Sequence, residues 1–108
     1  MAIAEAAYIA AFLDGEGYVT IRRSNRTKRP SAHYRLVVGF TNTDLPVLMW
    51  IQALVGGHIY PKARQSAKHA PAFELSLHNR DEVRHLLCSI VQYVRVKHQQ
   101  VELGLAVL

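Results

Sequence analysis

The sequence predicts an α+β domain in which four antiparallel strands form one sheet with helices packed on one face. Three observations predict it. Apolar residues switch along the chain between a helical period of about 3.6 and a strict alternation. Glycine, proline, asparagine and aspartate punctuate these segments at short intervals. The order of segments, α-β-β-α-β-β-α-α, places strands in adjacent pairs, as hairpins do. At 108 residues the chain suffices for one hydrophobic core and not for two, so residues 1–108 are read as a single domain.

The first helix is expected over Ile3 to Asp14, an alanine-rich run stopped by Gly15 and Gly17. Ala4, Ala7 and Ala11 share one face of it, and methyl groups there permit close approach of a second backbone. The helix closes on two carboxylates, Asp14 and Glu16. Acids at a helix C-terminus oppose the macrodipole by a few tenths to about 1 kcal/mol, and a divalent cation is one reason to place them there. The plainer alternative is that alanine merely builds the helix and glycine merely ends it.

From Tyr18 the period changes, with Val19 and Ile21 alternating against Tyr18, Thr20 and Arg22. Ser24 to Ser31 reads as a basic polar loop, and His33 to Thr41 as a second strand. In it Tyr34, Leu36, Val38 and Phe40 face one side, and His33, Arg35, Val37 and Gly39 the other, completing a long-tipped hairpin. Thr43 or Asp44 caps a helix through Trp50 and Val55, ended by Gly56 and Gly57. A third strand is expected over His58 to Arg64, with Pro61 marking an edge or bulge. After the polar tip Gln65 to Pro71, a fourth strand points Phe73, Leu75 and Leu77 inward and Glu74 and Ser76 outward. Asn79 or Asp81 starts a third helix through Val83, Leu86, Leu87, Ile90 and Val91, in which Cys88 is expected to be a core residue of a reducing compartment. The last helix, from Lys97 to Leu108, has Val101, Leu105 and Leu108 on one stripe.

Net charge is +5, and between Gly17 and Phe73 the only acid is Asp44 against nine lysines and arginines. Segments of one sign usually face a polyanion. The uncovered sheet face and its tips would carry Tyr18, Thr20, Arg22, Ser24, Arg26, Lys28, His33, Arg35, Val37, Tyr60, Lys62, Arg64, Glu74 and Ser76. An antiparallel ribbon of that composition suits a DNA major groove, where Arg and Lys read guanine edges. No apolar run is long enough for a membrane span, and Glu5 within the first apolar stretch argues against a secretory signal. An intracellular setting follows, in cytoplasm, nucleoid or the compartment of an organellar genome. The six histidines and single cysteine show no zinc spacing, and no glycine-rich phosphate loop occurs, so no small-molecule cofactor is expected.

The segment Ile9-Ala10-Ala11-Phe12-Leu13-Asp14-Gly15-Glu16-Gly17 resembles the signature of the LAGLIDADG homing endonucleases, agreeing in residue class at every position. It closes an alanine-rich helix, opens a strand, and is followed by the family's αββαββα order over about the whole chain. The resemblance implies the family's fold, a four-stranded saddle sheet with helices on one face. It implies a sequence-specific nuclease, the agent of intron or intein mobility, that makes a staggered double-strand break in a long pseudo-palindromic DNA site by metal-assisted hydrolysis. A chain with one signature implies a homodimer, with Ala4, Ala7 and Ala11 in the two-fold seam and both Glu16 residues at the centre.

Position by position, Glu16 matches the family's metal-binding acid, with the Gly15 carbonyl as a further ligand for Mg²⁺. Mn²⁺ is expected to substitute, and Ca²⁺ to support binding without cleavage. Asn42 matches a polar residue that orders water, Lys97 a basic residue that polarises water or stabilises the transition state, and Asp14 a structural acid. The chain departs from the pattern at Asp44-Leu45-Pro46-Val47, where shorter members place another basic residue. A second expectation is therefore the same fold used only to bind, as an RNA-splicing maturase or a DNA-binding regulator. A third is a basic domain that binds nucleic acid without sequence preference.

Overall fold

The expected element order is the one found in the computed structural model, which describes residues 1–24, 33–63 and 70–108. Helix α1 (Ile3–Glu16) leads into the hairpin β1 (Gly17–Ser24) and β2 (His33–Asn42). Helix α2 (Leu45–Val55) precedes β3 (His58–Pro61) and β4 (Phe73–Leu77), and α3 (Arg80–Ile90) and α4 (His98–Val107) follow. The strands form one antiparallel sheet in the order β1-β2-β4-β3. Pro61 lies on the edge strand β3, where its missing N–H costs no ladder bond. The tips that carry Arg26, Lys28 and Arg64 fall outside the described residues.

Strand alternation builds the core. The register sets Val19 opposite Val38, and Phe40 opposite Leu75, which in turn faces Ile59. Val38, Phe40, Leu75 and Leu77 are fully buried beneath Ile9 and Leu13 of α1, Leu48 and Ile51 of α2, Val83, Leu86, Leu87 and Ile90 of α3, and Val101 of α4. Each such side chain stabilises the fold by about 1.5–3 kcal/mol relative to exposure.

Caps fix the helix starts. Asp44 Oδ1 accepts from the Val47 N–H at 3.1 Å, and Asn79 Oδ1 accepts from the Asp81 and Glu82 N–H groups. Gly56 and Gly57 have φ of 87° and 93°, a region that favours glycine, and so permit the abrupt turn from α2 into β3.

Five expectations are corrected. Helix α1 runs through Glu16 and does not stop at Asp14, so Gly15 is helical. Strand β3 ends at Pro61, although the Lys62 N–H still donates to the Ala72 carbonyl at 2.9 Å. Cys88 is exposed, because the buried stripe of α3 consists of Val83, Leu86, Leu87 and Ile90 and leaves position 88 on the far side. Tyr34 is 67% exposed, on the expected side of β2 but away from the buried core. The open sheet face is partly closed, with Val37, Glu74 and Ser76 all buried on it. Val37 sits opposite Thr20 with Tyr18 and Arg22 on its diagonals, from which long side chains reach across a strand. Among the described residues no helix is long and apolar enough to cross a membrane.

Candidate functional site

The acidic end of α1 joins β1 without an intervening turn, and the Gly17 N–H donates back to the Leu13 carbonyl. Asp14 points to the linker between α3 and α4. Its carboxylate accepts from the Arg95 N–H at 2.8 Å and the Lys97 N–H at 3.0 Å. Burial works against the charged form of Asp14, but the Arg95, Lys97 and Val96 N–H groups and the Lys97 ammonium outweigh it and hold its pKa below the ordinary carboxylate value. Lys97 returns the contact, since its Nζ donates to the Asp14 carbonyl at 2.7 Å. Lys97 occupies the N-cap position of α4, a mildly unfavourable place for a cation, yet its ammonium reaches the C-terminal end of α1, where a cation is favourable.

Glu16 lies two residues on and is exposed. It lines an open depression of about 420 Å³ together with Thr41, Asn42, Thr43 and Ala72. Asn42 Oδ1 accepts from the Asp44 N–H at 2.8 Å, which leaves its NH₂ to donate. Gly15 is exposed, with no atom within 4 Å of where a Cβ would stand. Helix α1, β2 and the α3–α4 linker thus bring Glu16, Asn42 and Lys97 to one end of the sheet. A larger cavity of about 490 Å³, lined chiefly by Ile21, Tyr34, Leu36, Val107 and Leu108, holds none of these three residues.

The open sheet face meets this end. Tyr18, Thr20 and Arg22 of β1 share it with Arg35 of β2, Tyr60 of β3 and Glu74 of β4, while Lys62 follows β3. The backbones of Ser24 and His33 close the hairpin register as a pair. Arg22 lies directly opposite Arg35, a like-charge pairing that disfavours the sheet unless an anion lies over it. Arg35 Nε is buried without a hydrogen-bond partner among the described residues.

Glu74 is 5% exposed. It accepts hydrogen bonds from the Tyr60 hydroxyl and from Thr41 Oγ1, and Lys62 Nζ lies 3.7 Å away. The Tyr60 bond to Glu74, followed by burial and the charge of Glu74, pushes the Tyr60 pKa up to about 12. For Tyr18, burial and then the charge of Glu74 raise the pKa against the opposing effect of Arg22. Thr41 and Gly39 were not among the expected site residues. A glycine inside a strand is a signal of close approach, and Gly39 is such a case. Glu74 does carry the position expected of it, but its surface reaches a partner only through its neighbours.

On the outer side of α1, Ala4 and Ala11 are exposed and Ala7 is half-buried, while Ala6, Ile9, Ala10 and Leu13 pack inward. Beside the alanines, Tyr8 meets Trp50 edge-on at 5.4 Å between ring centroids. Ile3, Tyr8, Met49 and Trp50 are 73%, 51%, 55% and 39% exposed. This apolar flank also escaped the sequence argument, because it joins residues of two helices distant in sequence.

No family model matches the sequence, and no curated protein matches it. Among solved structures the chain is similar to the homing endonuclease I-CvuI in complex with its target in the presence of calcium, with a TM-score of 0.81 at 19% identity over 97% of this chain and 66% of that one. It is similar to the archaeal intron-encoded homing endonuclease I-Vdi141I complexed with DNA, with a TM-score of 0.75 at 20% identity over 94% of this chain and 64% of that one. The LAGLIDADG meganuclease I-CpaMI bound to uncleaved DNA matches with a TM-score of 0.72 at 17% identity over 94% of this chain and 37% of that one. The chain spans less than two thirds of the length of these proteins. The helix that ends on its acids and runs directly into a four-stranded open sheet is the fold of the LAGLIDADG homing endonucleases.

Proposed function

We propose that this protein is a sequence-specific endonuclease of double-stranded DNA that acts as a homodimer and cuts both strands of a long pseudo-palindromic site with a stagger. The observation that carries it is an open depression shared by Glu16 and Asn42 at the exposed end of α1, with Lys97 bound to Asp14 of the same helix end and a basic sheet face alongside. Glu16 and the Gly15 carbonyl would hold Mg²⁺. Both are oxygen donors at an open helix end, and Mg²⁺ takes one or two carboxylates while waters and phosphate oxygens complete its shell. When bound, the ion supplies positive charge to the scissile phosphate and a water more acidic than bulk water.

The chain's own groups do the rest. Asn42 orients water through its free NH₂, and Lys97 brings a cation to the edge where phosphate charge builds up. Arg22, Arg35 and Lys62 hold the duplex against the sheet. Ala4, Ala7, Ala11 and Gly15 let α1 pack closely on its two-fold mate, with Tyr8 and Trp50 extending the seam. Such an isologous contact sets the two Glu16 residues beside each other, one for each strand.

The test is Glu16→Gln in a cleavage assay on a randomised DNA library with Mg²⁺, paired with binding in Ca²⁺. Cleavage is expected to vanish while binding persists. Equal loss of both would remove Glu16 from the catalytic role. Wild-type binding without cutting would favour the binding-only use of the fold, in which the sheet face serves a maturase or a regulator.

A further inference from the structure

The buried carboxylate of Glu74 has more to do than fill a position on the sheet. Tyr18 starts on β1, and its ring lies across β2 at Gly39, where an added Cβ would stand 2.3 Å from Tyr18 Cζ. Only a residue without a side chain leaves that path open. The Tyr18 hydroxyl thereby lies over β2 on the side of Glu74, whose charge acts on it, and Glu74 in turn accepts from Thr41 on β2 and Tyr60 on β3. One carboxylate therefore binds side chains of β2 and β3 directly and stands beside the Tyr18 ring laid across from β1.

The same hydroxyl serves a second purpose. Arg22 Nη2 donates to Tyr18 Oη at 3.2 Å, and the Arg22 guanidinium stands 5.7 Å from the centre of the Tyr18 ring. Arg22 is otherwise exposed, on a long flexible stem. One of its N–H groups is held and the others have no hydrogen-bond partner among the described residues, which restricts its rotamers and keeps a fork available for a guanine edge. An arginine fixed before contact loses less entropy on reading a base.

We propose that Glu74 is a positioning residue for sequence recognition: through Tyr18, laid over Gly39, it fixes Arg22 to read one guanine in each half-site. This rests on the proposed DNA-binding role of the sheet. Glu74 itself touches no base, because it is buried and its oxygens are engaged by Tyr60 and Thr41.

The experiment is a binding selection on a randomised duplex library in Ca²⁺, with thermal unfolding recorded for each variant. Arg22→Ala identifies the base pair that Arg22 reads. Tyr18→Phe keeps the ring and removes the hydroxyl, and Glu74→Gln leaves one acceptor oxygen where the network uses two. Both are expected to reduce discrimination at that same base pair by about fivefold or more, with the other positions held within about twofold. Should Arg22→Ala define a position that both variants leave within about twofold of wild type, Glu74 does not position Arg22. An even loss over all positions would also overturn the proposal, as it marks phosphate contacts or general loosening. A wild-type protein that selects no sequence at all would instead bring down the DNA-reading function on which the proposal stands.

Discussion

Asp14→Asn tests whether the first acid of the signature is structural. In the folded protein its carboxylate accepts the Arg95 N–H at 2.8 Å on one oxygen and the Lys97 N–H at 3.0 Å on the other. Asparagine keeps one acceptor and turns an NH₂ toward the second amide, so one bond is lost and a donor faces a donor. Hydrogen bonds to charged groups contribute about 1.5–3 kcal/mol each, and the lower half of that range suits the solvent-reached Arg95 amide. The expected destabilisation is about 2–4 kcal/mol, or about 10–25 °C in Tm for a domain of this size. Thermal unfolding at pH 7 measures it. The pH dependence supplies a second check. Asp14 has a folded pKa below the ordinary value of 3.8, so its stabilisation is present above the unfolded pKa and is lost as pH falls through the folded one. Wild type and variant should therefore converge in stability only below about pH 4. A loss under about 0.5 kcal/mol at pH 7 would show that these bonds do not anchor the end of α1.

Other outcomes follow from the same geometry. Ala11→Glu places a charge in the proposed seam and should convert the proposed dimer to monomer in sedimentation; a wild-type mass that stays at 12.2 kDa at every concentration would refute the seam. Tyrosinate absorbance should show one residue, Tyr60, titrating near 12 in the wild type and nearer 10 in Glu74→Gln. Because that pKa is raised, its stabilisation is present below the unfolded value of 10 and disappears as pH rises through about 12. Gly39→Ala should cost about 1–3 kcal/mol by displacing Tyr18, and a neutral result would mean that the ring has an alternative resting place.

The fold was legible because its signals are local. Alternation in β1, β2 and β4, the Asx caps at Asp44 and Asn79, and the paired glycines after α2 each act within a few residues. Cys88 was misread through attention to its sequence neighbours, although the helical spacing of Val83, Leu86, Leu87 and Ile90 already excludes it from the core. The site was legible only in part. Asn42 and Lys97 could be matched through the family's pattern, but the placing of Asn42 beside Glu16 and of Lys97 on Asp14 depends on contacts between β2, the α3–α4 linker and α1 that no spacing encodes. The burial of Glu74 was hidden for a related reason. It requires the strand order β1-β2-β4-β3 and the passage of Tyr18 over Gly39, both of them tertiary facts.

The most consequential difference concerns where α1 ends. Gly15 within a helix costs about 1 kcal/mol relative to alanine, which is why the sequence suggests a stop before it. The bonds from Asp14 to the α3–α4 linker, and from Lys97 back to the Asp14 carbonyl, oppose that cost and hold the last turn in place. The two added residues then set where the carboxylates point. Residues two apart on a helix point about 200° apart, so a carboxylate at 14 that faces the fold requires a carboxylate at 16 that faces away from it. Had the helix stopped at Asp14, the direction of Glu16 would depend on a loop. The opposite facing of the two acids is thus a consequence of helical geometry, and the proposed division of labour between them rests on it, with Asp14 and Lys97 holding the helix end that turns Glu16 outward.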